Sequence, residues 1–304
     1  MFSYRHAFHA GNHADVLKHT VLLAVLRHMT QKDTALHVFD THAGAGLYRL
    51  DGDYAQTSGE AADGYLKLIR SPPEEAANPK ENKAPALQDY LDTVASFNKP
   101  GSHKVYPGSP FLIHHLLQAR DRDRLKLFEL HPTDAKTLAG NIAQLNAGRM
   151  VSVLQEDGFE GLKKFLPPPS RRALVLCDPS YEIKSDYTRV VAMMTDALKR
   201  FATGTYLVWY PIIPRPEAHE LPRKLKTLAN REGRPWLNAT LTVKSSKLST
   251  DKEGEVVRPG LPASGMFVIN PPHTLKTSLT AALRQAATCL AQDKHKAFEV
   301  ETGG

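Results

Sequence analysis

Short apolar segments recur along the whole chain, and helical patterns lie between most of them. The predicted strands are residues 35–40, 125–129, 150–154, 173–178, 205–210, 241–244 and 266–270. Helical patterns cover residues 133–145, 187–201 and 219–230, and a first helix is predicted from Asn12, its N-cap, to about Met29. Strands that alternate with helices in this way indicate a doubly wound α/β sheet.

One polar stretch that contains several prolines interrupts this alternation. Apolar residues at helical spacing predict two ordered helices within it, at about residues 60–69 and 85–97. We therefore predict a core made of residues 1–50 and 107–304, with residues 51–106 forming a small helical insertion subdomain.

Two further segments are expected to lack regular structure. Residues 245–262 are rich in Ser, Lys, Glu and Gly and are predicted to form a mobile loop or a hairpin tip. The tail after Gln292 is predicted to be frayed or disordered.

The composition restricts the environment and the partners of the chain. Hydrophobic residues make up 41%, but no apolar run approaches the roughly 20 residues that a membrane span needs. Because the N-terminus is polar and the chain has only two cysteines, Cys177 and Cys289, we expect a cytoplasmic protein without a membrane partner.

The net charge of +7 favours a polyanionic partner, since Lys and Arg neutralise phosphates. Basic residues cluster at 120–124, 163–164, 171–172, 223–226 and 244–252, which favours a nucleic-acid surface over several solvated faces.

A glycine-rich segment, Asp-Thr-His-Ala-Gly-Ala-Gly from Asp40 to Gly46, directly follows a predicted strand. Glycines let a backbone approach a ligand closely, so this turn is a candidate cofactor site. A dinucleotide-binding fold requires a third glycine and an acid about 20 residues further on, and the sequence has neither. The acid that ends the next strand is Glu129, an arrangement that favours S-adenosylmethionine, which has no phosphates. A glycine turn without a ligand is the alternative.

A second motif, Asp178-Pro179-Ser180-Tyr181, ends another apolar strand. It resembles the Asp/Asn-Pro-Pro-aromatic motif of methyltransferases that act on the amino group of adenine. The Asp178 carboxylate and the Pro179 carbonyl would accept hydrogen bonds from that amine, and Asp178 would then accept the released proton. Tyr181 would stack on a base that has left its helix. Ser180 replaces the second proline of the motif, and an ordinary Asp-Pro turn is the alternative.

A similar element, Asn270-Pro271-Pro272, follows a later predicted strand. Strand order separates the two elements, because Asp178 would end the fourth strand and Asn270 the seventh. In a doubly wound methyltransferase sheet the fourth strand lies beside the first, so its carboxyl end borders the cofactor crevice. We therefore interpret Asn270 as a structural strand end.

Histidines near the N-terminus raise the question of a metal site. Their positions are His6, His9, His13 and His19. Their spacing does not match a closed zinc site and no cysteine lies near them, so we expect no metal. The chain also lacks the Gly-x-Ser-x-Gly element of many serine hydrolases.

Taken together, the sequence closely resembles one bacterial family, the 23S ribosomal RNA adenine N6-methyltransferases specific for adenine 2030. The matching segments are residues 3–19, 40–46, 106–110, 129–132, 157–158, 178–181 and 263–266. They run in order through nearly the whole chain, and the long N-terminal segment is far more specific than a glycine turn. The resemblance implies a Rossmann-like class I methyltransferase fold with a helical insertion subdomain.

The resemblance also implies roles for the matched residues. Those expected to line the S-adenosylmethionine site, together with Gly44 of the glycine turn, are His19, His42, Ser109, Glu129, Asp157, Gly158 and Asp178. Asp178 would be the proton acceptor, Tyr4 would face the RNA and Lys18 would lie near the site. We expect a monomer that methylates an adenine of 23S ribosomal RNA.

Two alternatives stay open on the sequence alone, and a third is disfavoured. The chain is a DNA adenine methyltransferase if DNA outcompetes RNA as the methyl acceptor. A non-catalytic RNA-binding module would bind no cofactor. A nicotinamide dehydrogenase would require the complete glycine motif and the ribose-binding acid that this sequence lacks.

Overall fold

The computed structural model describes residues 6–52, 59–70, 82–247, 249–250, 256–257 and 260–304. Its strands are β1 (His37–Asp40), β2 (Leu47–Arg49), β3 (Val105–Pro107), β4 (Arg124–Phe128), β5 (Val151–Leu154), β6 (Ala173–Cys177), β7 (Thr205–Ile212), β8 (Trp236–Thr242), β9 (Ser249–Thr250), β10 (Val256–Val257), β11 (Ala263–Ile269) and β12 (Ala297–Gly303). Its α-helices are α1 (His13–Thr30), α2 (Glu60–Asp63), α3 (Tyr65–Arg70), α4 (Pro85–Ala95), α5 (Ser109–Leu117), α6 (Pro132–Ala143), α7 (Gly158–Gly161), α8 (Ser185–Arg200), α9 (Pro216–Arg231) and α10 (Leu275–Cys289). Among the described helices, none is long and apolar enough to span a membrane.

The main sheet has eight strands in the order β12-β8-β11-β7-β6-β1-β4-β5. Strands β1, β4, β5, β6 and β7 are parallel, whereas β11 runs antiparallel to both β7 and β8. Because β6 and β4 flank β1, the strand order reverses at β1, and this reversal is the topological switch point where such sheets bind ligands. The predicted doubly wound, Rossmann-like sheet is confirmed.

Helices cover both faces of this sheet. All five residues of β6 are buried, as expected of a central parallel strand. Leu174 and Leu176 join the apolar core beneath α1, α5 and α10, while Val175 and Cys177 join the core beneath α8 and α9. The central strands therefore have α1 on one face and α8 on the other.

Helix α1 begins where the sequence predicts. Oδ1 of Asn12 accepts hydrogen bonds from the backbone N–H groups of Ala14 at 2.9 Å and Asp15 at 3.0 Å, so Asn12 is the N-cap. The first three turns of α1 are buried on every side, and the buried residues include Asp15, Lys18 and His19. Because buried charges need partners, the burial of these residues on α1 indicates a functional site around them.

The insertion contains helices where they were predicted, but the first is interrupted at Gly64. A Cβ atom on Gly64 would lie 2.1 Å from the carbonyl oxygen of Gly11, while the next residue, Tyr65, donates its N–H to that oxygen at 2.7 Å. This close approach divides the predicted helix into α2 and α3. Helix α4 packs against α1 and α10, and its apolar residues share their core. The division into a core and an insertion subdomain stays a prediction.

We expect Gly64→Ala to lower the free energy of unfolding by about 1–3 kcal/mol, because the added methyl group overlaps backbone atoms of Gly11 and Asn12. Gly140→Ala is the matched control, since a Cβ atom at this position in α6 meets nothing within 4 Å. The control should stabilise the protein by about 0.5–1 kcal/mol. Urea denaturation measures both changes, and equal effects would contradict the proposed close approach.

The prediction for the C-terminal tail was wrong. Residues Ala297–Gly303 form β12, which pairs antiparallel with β8 along its whole length. Helix α10 was not predicted, although its buried Leu275, Leu279 and Leu283 follow helical spacing. Strand β8 begins at Trp236, five residues before its predicted start. Within the predicted loop or hairpin tip, β9 and β10 pair antiparallel, and its remaining central residues lie outside the described part of the chain.

Candidate active site

Three acidic residues lie at the carboxyl ends of parallel strands, at one edge of the sheet. Asp40 is the last residue of β1, Glu129 follows β4 and Asp178 follows β6. Because the carboxyl ends of parallel strands meet at the same edge, these acids surround one cleft of about 220 Å³. Glu129 and Asp178 line the cleft, and Asp40 is fully buried next to it.

The glycine turn lies against Glu129. Gly44 and Gly46 adopt positive φ angles of 60° and 78°, which favour glycine, and the N–H of Gly44 donates to Oε2 of Glu129 at 2.8 Å. The other oxygen, Oε1, accepts the N–H of His131 at 2.7 Å. Burial raises the pKa of Glu129, while these two N–H donors oppose that rise. The glycine turn after β1 and the acid that follows β4 therefore lie in contact.

Ser109 reaches the cleft from the first turn of α5. Its hydroxyl donates to Oδ2 of Asp40 at 2.6 Å. Burial raises the pKa of Asp40 to about 6, although the hydrogen bond from Ser109 lowers it. Asp40 therefore fixes the Ser109 hydroxyl and leaves its oxygen lone pairs available to a ligand.

A third group of predicted residues lies beyond β5. Asp157 is the N-cap of α7, with Oδ1 accepting the N–H of Phe159 at 3.0 Å and Oδ2 accepting a guanidinium N–H of Arg189 at 2.5 Å. The ring of His42 meets Phe159 edge-on, at 4.7 Å between centroids. Burial lowers the pKa of His42 to about 4, so its imidazole is neutral at physiological pH. A Cβ atom on Gly158 would lie 2.0 Å from the carbonyl oxygen of Thr41, so only glycine allows this close approach.

Lys18 joins two aspartates at the centre of the site. Its ammonium group lies 2.8 Å from Oδ1 of Asp15 and 2.5 Å from Oδ2 of Asp178. Burial raises the pKa of Asp178, and the charge of Lys18 opposes that rise. For Asp15 the charge of Lys18 and its other neighbours outweighs burial, so the pKa falls well below its ordinary value. His6 completes the group, with Nε2 at 3.1 Å from Oδ2 of Asp15.

The structure contradicts the stacking role predicted for Tyr181. Its side chain is only 2% exposed, and its hydroxyl donates to the backbone carbonyl of Trp209 at 2.7 Å. Its ring packs against Tyr187 and does not line the cleft. With a positive φ of 56°, Tyr181 turns away from the cleft immediately after Pro179 and Ser180, which do line it.

Sequence reasoning missed two apolar side chains at the cleft. Among the described residues, the exposed large hydrophobic side chains are Leu130, 47% exposed, and Ile183, 63% exposed, and both line the cleft. Leu130 lies within the matched segment 129–132 and Ile183 lies two residues after the Asp-Pro-Ser-Tyr motif, and this nearness to the motifs is the signal that could have identified them. Tyr4, the predicted RNA contact, lies outside the described residues.

The second Asn-Pro element lies at the opposite edge of the sheet. Strand β11 is antiparallel to β7, so Asn270 ends far from Asp178. The Asn270 side chain donates to the carbonyl oxygens of Ala202 at 2.9 Å and Gly204 at 2.6 Å. The interpretation of Asn270 as a structural strand end is confirmed.

The N-terminal histidines have separate partners. His9 contacts Glu60 at 3.0 Å, His13 contacts the carbonyl oxygen of Leu261 at 3.0 Å and His19 contacts the hydroxyl of Tyr106 at 2.8 Å. Within the part of the chain that the structure describes, no group of His, Cys, Asp or Glu side chains is arranged to hold a metal ion.

The strand order, the antiparallel β11, the glycine turn after β1 and the Asp-Pro turn after β6 define a Rossmann-like class I methyltransferase. A family model described as "Ribosomal RNA large subunit methyltransferase D, RlmJ" matches residues 33–301. The chain belongs to this family of ribosomal RNA methyltransferases and is therefore an enzyme of this class.

Individual relatives agree with this assignment. The Ribosomal RNA large subunit methyltransferase J of Escherichia coli strain K12 is 39% identical over 284 residues, which cover 93% of this chain and 92% of the relative. The protein of the same name from Haemophilus influenzae is 37% identical over 304 residues, covering 99% and 98%. The crystal structure of protein LPL1258 from Legionella pneumophila superimposes with a TM-score of 0.80 at 29% identity, over 97% of this chain and 98% of that one.

Proposed function

We propose that the protein transfers a methyl group from S-adenosylmethionine to the N6 amino group of an adenine in 23S ribosomal RNA, at adenine 2030. The products are N6-methyladenine and S-adenosylhomocysteine. The observation that carries this proposal is the position of Asp178. Its carboxylate stands at the cleft beside Pro179, at the end of the strand that neighbours β1, and Lys18 holds it in place.

The residues of the cleft fit S-adenosylmethionine, which supplies an electrophilic methyl group on a sulfonium when bound. Two backbone N–H groups orient the carboxylate of Glu129. This carboxylate is suited to accept hydrogen bonds from the ribose hydroxyls of the cofactor. His42, Asp157 and Gly158 form the wall of the cleft on one side of the glycine turn, and Ser109 and His19 form part of the lining too. The buried Nε2 of His19 has no hydrogen-bond partner among the described residues, so it offers a polar atom to a ligand.

Asp178 performs the proton chemistry in this proposal. Lys18 binds Oδ2, and no described residue engages Oδ1, which is free to accept an N–H of the adenine amine. The Pro179 carbonyl accepts the second N–H, so the nitrogen lone pair is directed at the methyl group. Bound S-adenosylmethionine would supply the methyl group to this nitrogen, and Asp178 takes the proton that the amine loses before releasing it to solvent.

Lys18 keeps Asp178 in its ionised form before the reaction. Burial alone would raise the pKa of Asp178 and favour a neutral carboxyl, which accepts a proton poorly. The adjacent ammonium opposes this effect, while burial still leaves the carboxylate more basic than an exposed one. The balance suits a group that must be ionised and yet take up a proton.

The basic clusters predicted for RNA binding do not all lie at the cleft. Arg120 donates to the carbonyl oxygen of Thr30 at 3.0 Å and Arg172 to that of Thr34 at 2.5 Å, near the strand ends opposite the cleft. These arginines hold the loop after α1. Lys244 and Lys247, the described lysines of the cluster at 244–252, follow β8 at the edge of the sheet that holds the cleft, because β8 is antiparallel to β11 and β11 is antiparallel to β7.

We expect Glu129→Gln to weaken the binding of S-adenosylmethionine by about 10- to 100-fold, because charge-assisted hydrogen bonds contribute about 1.5–3 kcal/mol. In the variant the side-chain NH2 group replaces one carboxylate oxygen, so a donor faces the N–H of Gly44 or His131 instead of an acceptor. Isothermal titration calorimetry measures the change. Glu156→Gln removes the same charge from a half-exposed carboxylate that pairs with Lys164, and its affinity should match that of the wild type.

The proposed function is tested with radiolabelled S-adenosylmethionine and protein-free 23S ribosomal RNA that lacks modifications. Label should appear in the RNA as N6-methyladenine, and sequencing should place it at adenine 2030. An equal mass of duplex or single-stranded DNA should neither accept label nor compete. Transfer to DNA instead would favour the DNA methyltransferase, and failure of both methyl transfer and cofactor binding would overturn the proposal.

A further inference from the structure

His19 is a buried histidine whose two ring nitrogens have different surroundings. Nδ1 lies 2.8 Å from the hydroxyl oxygen of Tyr106, whereas Nε2 has no partner among the described residues, and the side chain lines the cleft. Burial lowers the pKa of His19 to about 3, so the ring is neutral at physiological pH. A neutral imidazole carries one proton, and the tautomer decides whether the cleft meets a donor or an acceptor.

Tyr106 links His19 to the helical insertion. Its hydroxyl oxygen lies 3.0 Å from that of Tyr90, which is on α4. Both tyrosines are fully buried, so water does not reach their hydroxyls. The three side chains therefore form a hydrogen-bonded chain that runs from α4 through β3 to the cleft.

One direction of hydrogen-bond donation along these three side chains is favoured. If Tyr90 donates to Tyr106 and Tyr106 donates to Nδ1 of His19, every O–H has an acceptor. In the opposite direction the O–H of Tyr90 would be left buried without an acceptor, since the described residues offer Tyr90 no other hydrogen-bond partner. An unsatisfied buried donor is costly, so the first direction is preferred.

We propose that Tyr90 and Tyr106 are positioning residues that fix His19 as its Nε2–H tautomer and so present an N–H donor to the carboxylate of the cofactor's methionine. This proposal rests on the proposed function, because it takes S-adenosylmethionine as the ligand. The carboxylate is the anionic group of S-adenosylmethionine, so it requires hydrogen-bond donors in the cleft. The Lys and Arg side chains among the described lining residues are already engaged, Lys18 by Asp15 and Asp178 and Arg189 by Asp157.

A second feature of the cleft supports an anion at this position. Gly108 and Ser109 form the N-terminus of α5, a nine-residue helix whose dipole favours negative charge. Of the N–H groups there, that of Gly108 donates to the carbonyl oxygen of Gly46, that of Phe111 donates to the carbonyl oxygen of Gly108, and Pro110 has none, so the dipole is the main contribution of the helix. Gly108 follows Tyr106 by two residues, so the same segment carries both the helix N-terminus and the tyrosine that orients His19. The donor and the helix N-terminus line one cleft.

Nitrogen-15 NMR of the free protein tests the tautomer directly. The wild type should show His19 with a protonated Nε2 and an unprotonated Nδ1, with the signal assigned by its loss in His19→Phe. Tyr106→Phe should give a mixture of tautomers. A protonated Nδ1 in the wild type would overturn the proposal, and this measurement requires no cofactor.

Affinity measurements test the functional consequence. Tyr106→Phe should weaken S-adenosylmethionine binding by about tenfold, and Tyr90→Phe by less, because Tyr106 can still donate to Nδ1. The matched control is Tyr65→Phe, since Tyr65 packs against both rings but places its hydroxyl 3.3 Å from His103. Wild-type affinity in Tyr106→Phe, or an equal loss in Tyr65→Phe, would overturn the proposal.

Decarboxylated S-adenosylmethionine identifies the group that His19 recognises. The wild type should prefer the complete cofactor, and this preference should fall about tenfold in Tyr106→Phe and stay unchanged in Tyr65→Phe. A preference that survives intact in Tyr106→Phe would refute the carboxylate contact. If the wild type binds neither compound, the proposed function fails, and the NMR result decides the tautomer separately.

Discussion

Asp178→Asn is expected to lower kcat for methyl transfer by about 10²- to 10⁴-fold, the range that a positioned general base contributes. An amide cannot take the proton that leaves the adenine amine. Its nitrogen would also present a donor either to Lys18 or to the amine itself, where the carboxylate presents acceptors. The glycine turn and Glu129 are untouched, so cofactor binding should survive in part. Single-turnover kinetics and calorimetry on the same preparation measure the two effects.

Asp196→Asn is a suitable control because it makes the same chemical change in an exposed aspartate that pairs with Arg200 on α8. This control should retain kcat within about twofold, since surface ion pairs contribute little. Full activity in Asp178→Asn would remove Asp178 from the chemistry. Loss of cofactor binding equal to the loss of turnover would assign Asp178 to binding alone.

The arrangement of the central strands could be predicted because it depends on patterns within the sequence. Apolar strands alternate with helical patterns, and the position of Asp178 in the strand count places it beside β1. The rejection of Asn270 was correct, but the structure supplies a stronger reason. Strand β11 is antiparallel, so its carboxyl end lies at the opposite edge, and strand direction is not visible in an apolar segment alone.

The side-chain orientations at the site could not be predicted from the motif. Tyr181 follows Pro179 as an aromatic residue should, but its positive φ carries the ring into the core beneath α8. Backbone conformation after a proline depends on the packing that surrounds the turn. The pairing of Asp15 with Lys18 follows from helical spacing, whereas the contact between Lys18 and Asp178 joins residues 160 positions apart.

The tail was mispredicted because its apolar alternation is short, with only Phe298 and Val300 alternating with glutamates and packing against the core. Strand β12 contains Glu299 and Glu301 among partly exposed residues, as an edge strand often does. Its stability comes from the backbone ladder with β8 and from α10, which packs against it. Edge strands of this kind are defined by their neighbour, so local composition alone does not identify them.

Lys18→Met is expected to lower the free energy of unfolding by about 3–5 kcal/mol at pH 7, because it removes one cation from a buried group that contains two carboxylates. Methionine fills a similar volume, so packing changes little. Asp15 and Asp178 would then be buried without the charge that compensates them. The loss should be partly reversed in Asp15→Asn/Lys18→Met, since this double variant buries one carboxylate fewer.

The pH dependence of Lys18→Met gives the sharper test because the contribution of Asp15 changes sign. In the wild type the pKa of Asp15 lies well below 3.8, so its contribution to stability is present above that pH and is lost as the pH falls through the folded-state pKa. Without Lys18, burial dominates and raises this pKa. The contribution of Asp15 to the stability of the variant is then complete below pH 3.8 and is lost as the pH rises through the raised pKa. Urea denaturation from pH 5 to pH 8 should therefore show the variant losing stability relative to the wild type as the pH rises. A constant difference across this range would show that Lys18 does not hold Asp15 ionised.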